Sequence, residues 1–170
     1  SFFSDKHVWI PMYVAIVALL IWKLGWKKGL IFTAAALLTF GFCDQVSNIV
    51  KHAVGRIRPL HDEFMLANGL NVLENGGGYS FFSAHAANSF GLALSTFVGM
   101  KRCLSNSGSM MSKWLKAYGT WMFFWATMVA VSRIFVGKHY LGDVVVGIII
   151  GSLAGYAFAR LSAYIAGKIR

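Results

Sequence analysis

Five long apolar runs divide this 170-residue chain, and they restrict its fold more than any other feature. They cover residues 8–22, 29–50, 83–100, 114–131 and 140–164. An α-helix needs about 20 apolar residues to cross the hydrocarbon core of a bilayer. Only helices and closed barrels satisfy every backbone polar group in lipid. The sequence therefore predicts an all-α, polytopic membrane helix bundle with five spans.

The composition supports a membrane protein and excludes a soluble one. Hydrophobic residues make up 57% of the chain and charged residues 13%, whereas a soluble domain is about a quarter charged. The net charge of +10 does not indicate a nucleic-acid partner, because the basic residues are spread over the connections between runs. An anionic lipid and the bilayer itself are the expected partners. The length fits a single domain over residues 1–170.

The basic residues also predict how the bundle is oriented. With five spans, ten of the sixteen basic residues fall on one side, which the positive-inside rule makes cytoplasmic. These are Lys23, Lys27, Lys28, Lys101, Arg102, Lys113, Lys116, Arg160, Lys168 and Arg170. The remaining six basic residues lie outside, against that rule, and five of them are in two connections that also hold histidines. This predicts an outward-facing site, and an odd span count with an external start predicts a sixth, N-terminal helix upstream.

Two features predict interior packing. Gly147, Gly151 and Gly155 recur at spacing four in the last run, a pattern that allows close helix packing in lipid. The second run ends in polar residues over 44–48, and we expect that part to face the bundle interior.

The first outward cluster is KHAVGRIRP. Lys51 and Arg58 are seven residues apart, about two helical turns, so both can lie on one helix face. An Arg side chain grips phosphate with a planar fork, and a Lys side chain adds a compact point charge. The same residues would equally serve as interfacial cations that attract lipid headgroups.

The second outward cluster is YSFFSAHAANS. Ser83 can cap the third span, and a helix N-terminus binds anions through its free N–H groups. His85 would then lie in the first turn, beside the anion. A capped helix with an interfacial histidine explains the same residues without any chemistry.

The third outward cluster is VSRIFVGKHYLGD. His139 and Asp143 are four residues apart and therefore adjacent on one helix face. A carboxylate bonded to one ring nitrogen fixes the tautomer and leaves the other nitrogen free to attack phosphorus. Arg133 precedes His139 across a short turn and could hold the anion. A structural His–Asp pair at a helix start is the alternative.

Taken together, the three clusters resemble the type 2 phosphatidic acid phosphatase (PAP2) superfamily. KHAVGRIRP has the form K-x6-R-P, FSAH resembles P-S-G-H, and SRIFVGKHYLGD has the form S-R-x5-H-x3-D. Phe82 and Ala84 depart from the Pro and Gly that are common in this family. Members usually have six spans, in agreement with an upstream helix.

The resemblance implies a lipid phosphatase that works through a phosphohistidine, without a metal or other cofactor. His139 would attack phosphorus, Asp143 would orient it, and His85 would protonate the leaving oxygen and then activate water. The phosphoryl oxygens would be held by Lys51, Arg58 and Arg133, helped by Ser83 and the Ala84 backbone. Fixed cations and a helix terminus can stabilise phosphoryl charge without Mg²⁺.

Other functions remain open at this point. The same site could act as a lipid phosphotransferase, and a basic vestibule could serve an anion transporter. A metal hydrolase could use His85, His139 and Asp143, with His61 as a further ligand. A serine hydrolase built on Ser83 lacks the G-x-S-x-G elbow.

The substrate is narrowed only to a class. Candidates are undecaprenyl diphosphate, phosphatidylglycerophosphate, phosphatidic acid and a lipid A phosphate. Size and an external site favour a bacterial inner-membrane enzyme whose site faces the periplasm. The oligomeric state is not predicted.

Overall fold

The computed structural model describes residues 6–70, 76–104 and 108–169, and over these residues the chain is all-α. Its helices are α1 (Ile10–Leu24), α2 (Trp26–Val54), α3 (Glu63–Ala67), α4 (Ala84–Leu104), α5 (Ser109–Phe135) and α6 (Leu141–Gly167). Short 3₁₀ turns cover Lys6–Trp9 and Pro59–His61. The predicted helical class is confirmed.

The five long helices correspond to the five predicted runs, and most extend beyond them. By length and composition, the segment Trp26–Ala67, which contains α2, and helix α6 are apolar enough to cross a membrane. Helix α1 is apolar but shorter, at 15 residues. Helices α4 and α5 are less apolar than α6, and many of the residues that α4 buries are Ala, Gly, Ser or Thr.

Helix α4 is the central element, and α6 packs closely against it. A methyl group at Gly147 would overlap the backbone oxygen of Ser83, just before α4. A methyl group at Gly151 or Gly155 would overlap the backbone oxygen of Ala87 or Gly91, respectively, on α4. The absence of side chains at these three positions therefore allows the two backbones to approach each other. The glycine repeat has the packing role that the sequence predicts, and it seats the start of α4 against α6.

A second contact surface joins α4 to α1, α2 and α5. Its buried residues include Leu20, Phe32, Leu92, Met122 and Trp125. Dispersion contacts between such side chains hold the helices together where lipid offers no hydrophobic driving force.

The polar end of α2 only partly follows the prediction. Ser47 is fully buried and donates a hydrogen bond to the Phe82 carbonyl oxygen at 3.0 Å, which ties α2 to the segment before α4. Gln45 and Asn48 are exposed on the outside of the bundle, so the expectation that they face the interior is wrong. Asp44 is also exposed, but it lines a cavity between helices.

Candidate functional site

The turn between α5 and α6 places His139. Gly137 adopts a left-handed conformation with φ of +69°, which favours glycine. The N–H groups of Lys138 and His139 then donate to the Arg133 carbonyl oxygen at 3.2 and 3.3 Å. The chain thus folds back over the last turn of α5 before α6 begins, and His139 lies near Arg133 in the protein interior.

The Asp143 carboxylate is fully buried and held from two sides. Its Oδ1 atom accepts a hydrogen bond from Arg56 Nη1 at 2.7 Å, and its Oδ2 atom accepts one from the Tyr140 N–H at 3.0 Å. His139 Nδ1 lies 3.8 Å from Oδ2. The adjacency expected from spacing four is present, but 3.8 Å exceeds hydrogen-bond length.

The environment of His139 favours its neutral form. The residue is 3% exposed. Burial lowers the pKa of His139 below its ordinary value, the charges of Arg58 and Lys51 lower it further, and the Asp143 carboxylate opposes both effects. A neutral imidazole with one nitrogen facing a carboxylate keeps a lone pair on the other, as a nucleophile requires.

The start of α4 is attached directly to the start of α6. The Ser83 N–H donates to the Asp143 carbonyl oxygen at 3.0 Å, and Ser83 Oγ accepts from the Ala86 N–H at 3.4 Å. Because Ser83 caps the helix, the remaining first-turn donors are the N–H groups of Ala84 and His85, which have no intrahelical acceptor. These are the groups an anion could use.

Three cations from different elements lie around this helix start. Arg133 is 2% exposed on the last turn of α5. Lys51 on α2 is within electrostatic range of Arg58, Arg133 and Asp143. Arg58, which follows α2, donates from Nε to the Gly78 carbonyl oxygen at 3.2 Å. The arrangement gathers positive charge next to the His139 imidazole, as binding of a phosphoryl group requires.

His85 joins the same group of side chains. It is exposed at the start of α4, within electrostatic range of Arg133, His139 and Lys51. The structure therefore brings all eight site residues predicted from the sequence to one end of the bundle.

Sequence reasoning missed part of the surroundings, chiefly Arg56 and Asp62. Arg56 holds Asp143, and its guanidinium carbon lies 5.1 Å from the centre of the Phe81 ring. Asp62 accepts a 2.6 Å hydrogen bond from the Tyr140 hydroxyl. Burial together with this carboxylate raises the pKa of Tyr140 to about 12. The sequence signal available for these contacts was Arg56 itself, a cation beside the residues of the first outward cluster.

The alternative metal site does not assemble in the described part of the chain. Over residues 6–70, 76–104 and 108–169, no three His, Cys, Asp or Glu side chains are grouped to hold a metal ion. His61, the fourth ligand considered, has its Nε2 atom 2.8 Å from the Gly76 carbonyl oxygen.

A cavity adjoins the site at the start of α4, and an apolar cavity lies next to it. A cavity of about 400 Å³ is lined by Trp9, Tyr13, Phe40, Asp44, Ala84, His85, Asn88, Ser89, Trp125 and Val129. An apolar cavity of about 270 Å³ between α1, α2 and α4 shares Tyr13 and Phe40 with it.

Comparison with known proteins identifies the family of this chain. Residues 28–166 match the model of the PAP2 superfamily. A lipid A 4'-phosphatase of Bacteroides thetaiotaomicron is 37% identical over 161 residues, which cover 93% of this chain and 66% of that protein. A lipid A 4'-phosphatase of Porphyromonas gingivalis is 30% identical over 165 residues, or 95% of this chain and 64% of that protein. The chain thus spans just under two thirds of the length of these relatives.

A solved structure has the same fold. The crystal structure of a transmembrane PAP2 type phosphatidylglycerolphosphate phosphatase from Bacillus subtilis matches with a TM-score of 0.66 and 23% identity. The match covers 98% of this chain and 73% of that chain. At this identity, the likeness supports the transmembrane bundle as the fold.

Proposed function

The chain belongs to the PAP2 superfamily, and on this premise we propose that it is a membrane phosphatase that releases phosphate from a lipid phosphate. The observation that carries the proposal is the buried His139 beside the Asp143 carboxylate, with Arg133, Lys51 and Arg58 around it. Phosphoryl transfer depends on this combination of a positioned nucleophile and fixed positive charge.

The reaction proceeds in two steps. His139 Nε2 attacks phosphorus, the bond to the lipid oxygen breaks, and His85 gives that oxygen a proton. Asp143, facing Nδ1, stabilises the positive charge that the ring acquires. His85 then takes a proton from water, the water oxygen attacks the phosphohistidine, and inorganic phosphate leaves. Covalent catalysis thus divides one displacement into two.

The phosphoryl oxygens are held without a metal in this proposal. Arg133 is the innermost cation, and Lys51 and Arg58 approach from α2 and the loop after it. The N–H groups at the start of α4 supply further donors where charge develops.

Among the four candidate substrates, we propose a lipid A phosphate. The support is the pair of lipid A 4'-phosphatases, which are 37% and 30% identical to this chain. The alternative of phosphotransfer to a second lipid uses the same phosphohistidine and differs only in the acceptor.

Phosphate release from a panel of the four lipids tests the proposal. Wild type should release phosphate in EDTA, and His139→Ala should release none. Asp143→Asn should lose less activity than His139→Ala, because the nucleophile remains. His52→Ala is the matched control, since His52 is an exposed histidine on α2 whose Nδ1 lies 2.8 Å from the Asn48 carbonyl oxygen. Normal turnover by His139→Ala, or loss of activity in EDTA, would refute the mechanism.

We also propose that the site faces the periplasm from the inner membrane. The support is the distribution of basic residues, most of which lie in the end turns of the helices opposite the site. Cys103, a partly exposed free thiol near the end of α4, provides the test. An impermeant maleimide should label Cys103 in inverted membrane vesicles and not in spheroplasts, and the reverse result contradicts this orientation.

A further inference from the structure

The larger cavity beside the site is lined by two of the proposed site residues, His85 and Ala84. Its other walls, which the phosphatase reaction does not use, come from the turn before α1 and from α1, α2, α4 and α5. We propose that this cavity is a leaving-group subsite that binds a sugar ring, so that the substrate carries its phosphate on a hexopyranose. This inference rests on the proposed phosphatase function.

The position of His85 assigns the cavity to the leaving group. In phosphoryl transfer, the attacking and leaving atoms lie roughly in line on opposite sides of phosphorus. With His139 as nucleophile and His85 as proton donor, the leaving oxygen lies at His85. The alcohol that departs with this oxygen therefore occupies the space that His85 lines.

The cavity walls combine aromatic faces with a few polar groups. Trp9 and Trp125 have ring centroids 5.6 Å apart, and Tyr13 lies 6.3 Å from Trp125. Phe40 is 6.1 Å from Tyr13. Small-molecule sites have mostly apolar and aromatic walls with few polar groups, and volumes of about 300–1,000 Å³. A sugar suits such walls because its C–H faces pack on rings while its edge carries hydroxyls.

Two buried polar atoms in this lining have no hydrogen-bond partner among the described residues. They are Asn88 Oδ1, an acceptor, and Trp125 Nε1, a donor on a residue that is only 4% exposed. Buried polar groups in proteins are normally paired, so an unpaired donor and acceptor on one cavity indicate a ligand that supplies both. A hydroxyl group supplies both a hydrogen-bond donor and an acceptor, whereas an acyl chain supplies neither of them.

Asp44 adds a carboxylate at the start of the polar part of α2. Its Oδ1 atom accepts from Asn88 Nδ2 at 2.8 Å, which orients the pair toward the cavity they both line. Ionisable residues within membrane helices are costly and commonly mark substrate sites. A carboxylate paired with an amide can bind neighbouring hydroxyls of a sugar. The carboxylate oxygens of Asp44 and the free carbonyl oxygen of Asn88 all accept hydrogen bonds from hydroxyl groups.

The apolar cavity next to this one fits the rest of such a substrate. It shares Tyr13 and Phe40 with the larger cavity and continues along Ile16, Leu20 and Leu92. An acyl chain attached to the same sugar would lie there, in contact with carbon atoms. The partly polar cavity therefore suits the sugar ring of an acylated sugar phosphate, and the apolar cavity suits its acyl chain.

Substrate selectivity tests the subsite. The ratio of kcat/KM for a phosphorylated, acylated glucosamine disaccharide to that for phosphatidic acid is measured in wild type and variants. Trp125→Phe, which keeps the ring and removes the N–H, should lower the ratio about three- to tenfold. Asp44→Asn should lower it about tenfold or more, because a charged acceptor is lost.

Matched controls lie on the same helices, outside the cavity. Trp121→Phe alters an indole on α5 that is 57% exposed, and Gln45→Ala alters the exposed neighbour of Asp44. Both should leave the ratio unchanged. An unchanged ratio in Trp125→Phe and Asp44→Asn overturns the sugar subsite while the phosphatase proposal stands.

A binding measurement separates the two proposals. His139→Ala protein in detergent is titrated with the dephosphorylated glucosamine lipid and with diacylglycerol, and indole fluorescence is followed. Tighter binding of the sugar lipid, reduced by Asp44→Asn, supports the subsite even where no lipid releases phosphate and the proposed function fails. Equal binding of the two lipids overturns the subsite.

Discussion

Replacement of Arg56 by Gln tests how the site controls its nucleophile. Arg56 donates to Asp143 at 2.7 Å, and the other carboxylate oxygen lies 3.8 Å from His139. With Arg56→Gln the carboxylate loses its strongest partner and the imidazole loses a nearby positive charge. Both changes favour the protonated ring, so the pKa of His139 should rise toward its ordinary value.

The geometry gives the size of this shift. The Asp143 carboxylate lies between the guanidinium and the ring, which places the two cationic groups roughly 8 Å apart and makes their repulsion about 2 kcal/mol at an effective dielectric constant of about 20. The Arg56 side chain is 44% exposed, so solvent screening removes much of that repulsion. A remaining change of about 1 kcal/mol corresponds to about 0.7 of a pKa unit.

The assay is the pH dependence of kcat/KM. Because the neutral imidazole is the nucleophile, activity is lost as pH falls through the pKa of His139. A raised pKa therefore moves the acid limb of the profile to higher pH, by about half a unit to one unit. In Arg56→Lys the acid limb should stay close to its wild-type pH, because lysine keeps the positive charge. Lys113→Gln, which removes a cation at the start of α5, is the distant control.

One result would refute this reasoning. If Arg56→Gln lowers activity at every pH and leaves the acid limb in place, Arg56 supports the fold or the substrate and does not act on His139 through Asp143. A limb that moves to lower pH would contradict the sign of the electrostatic argument.

Two further predictions concern packing and the loop network. Gly151→Ala places a methyl group on the Ala87 carbonyl oxygen and should destabilise the bundle by about 1–3 kcal/mol, seen as a lower Tm in detergent. Gly41→Ala, with no atom within 4 Å of the added carbon, should leave the Tm unchanged or higher. Tyr140→Phe removes the hydrogen bond that is the main cause of the lowered pKa of Asp62, so NMR titration should show that pKa rising. The associated loss of Tm should appear at pH 7 and vanish in acid, where the carboxyl is protonated in both proteins.

The helices were predictable because apolar runs of membrane length have few alternative structures. Their ends were not, because polar residues continue a helix wherever their backbone groups stay paired. Helix α5 begins at Ser109, before the apolar run at 114, and α2 continues to Val54, where Gly55 ends it in a left-handed conformation. Hydropathy marks the part of a helix that lies in lipid, and it does not mark the caps.

The direction of polar side chains was predictable only in part. Residues 44–48 are polar, yet Ser47 faces the interior while Gln45 and Asn48 do not. A turn of helix presents successive residues about 100° apart, so adjacent polar residues point in different directions. Composition alone cannot tell which of them meets a neighbouring helix.

The role of Arg56 could not be read from spacing, because its partner lies 87 residues away. The spacing suggests that Lys51 and Arg58 share one helix face, but α2 ends at Val54 and Arg58 lies in the loop after it, as does Arg56, which resembles a spare cation in the sequence. Only the tertiary fold, in which the loop after α2 lies over the start of α6, reveals that Arg56 and Tyr140 hold Asp143 together.

The same fold explains how the departure from the family pattern at Ala84 is accommodated. The start of α4 is positioned by Ser83, whose N–H reaches the Asp143 carbonyl oxygen, and by the close approach of Gly147 to the Ser83 backbone. Neither contact involves the Ala84 side chain, which is only partly buried and lines the larger cavity. The additional methyl group therefore faces the proposed leaving-group subsite, while the packing of α4 on α6 fixes the helix N-terminus relative to His139.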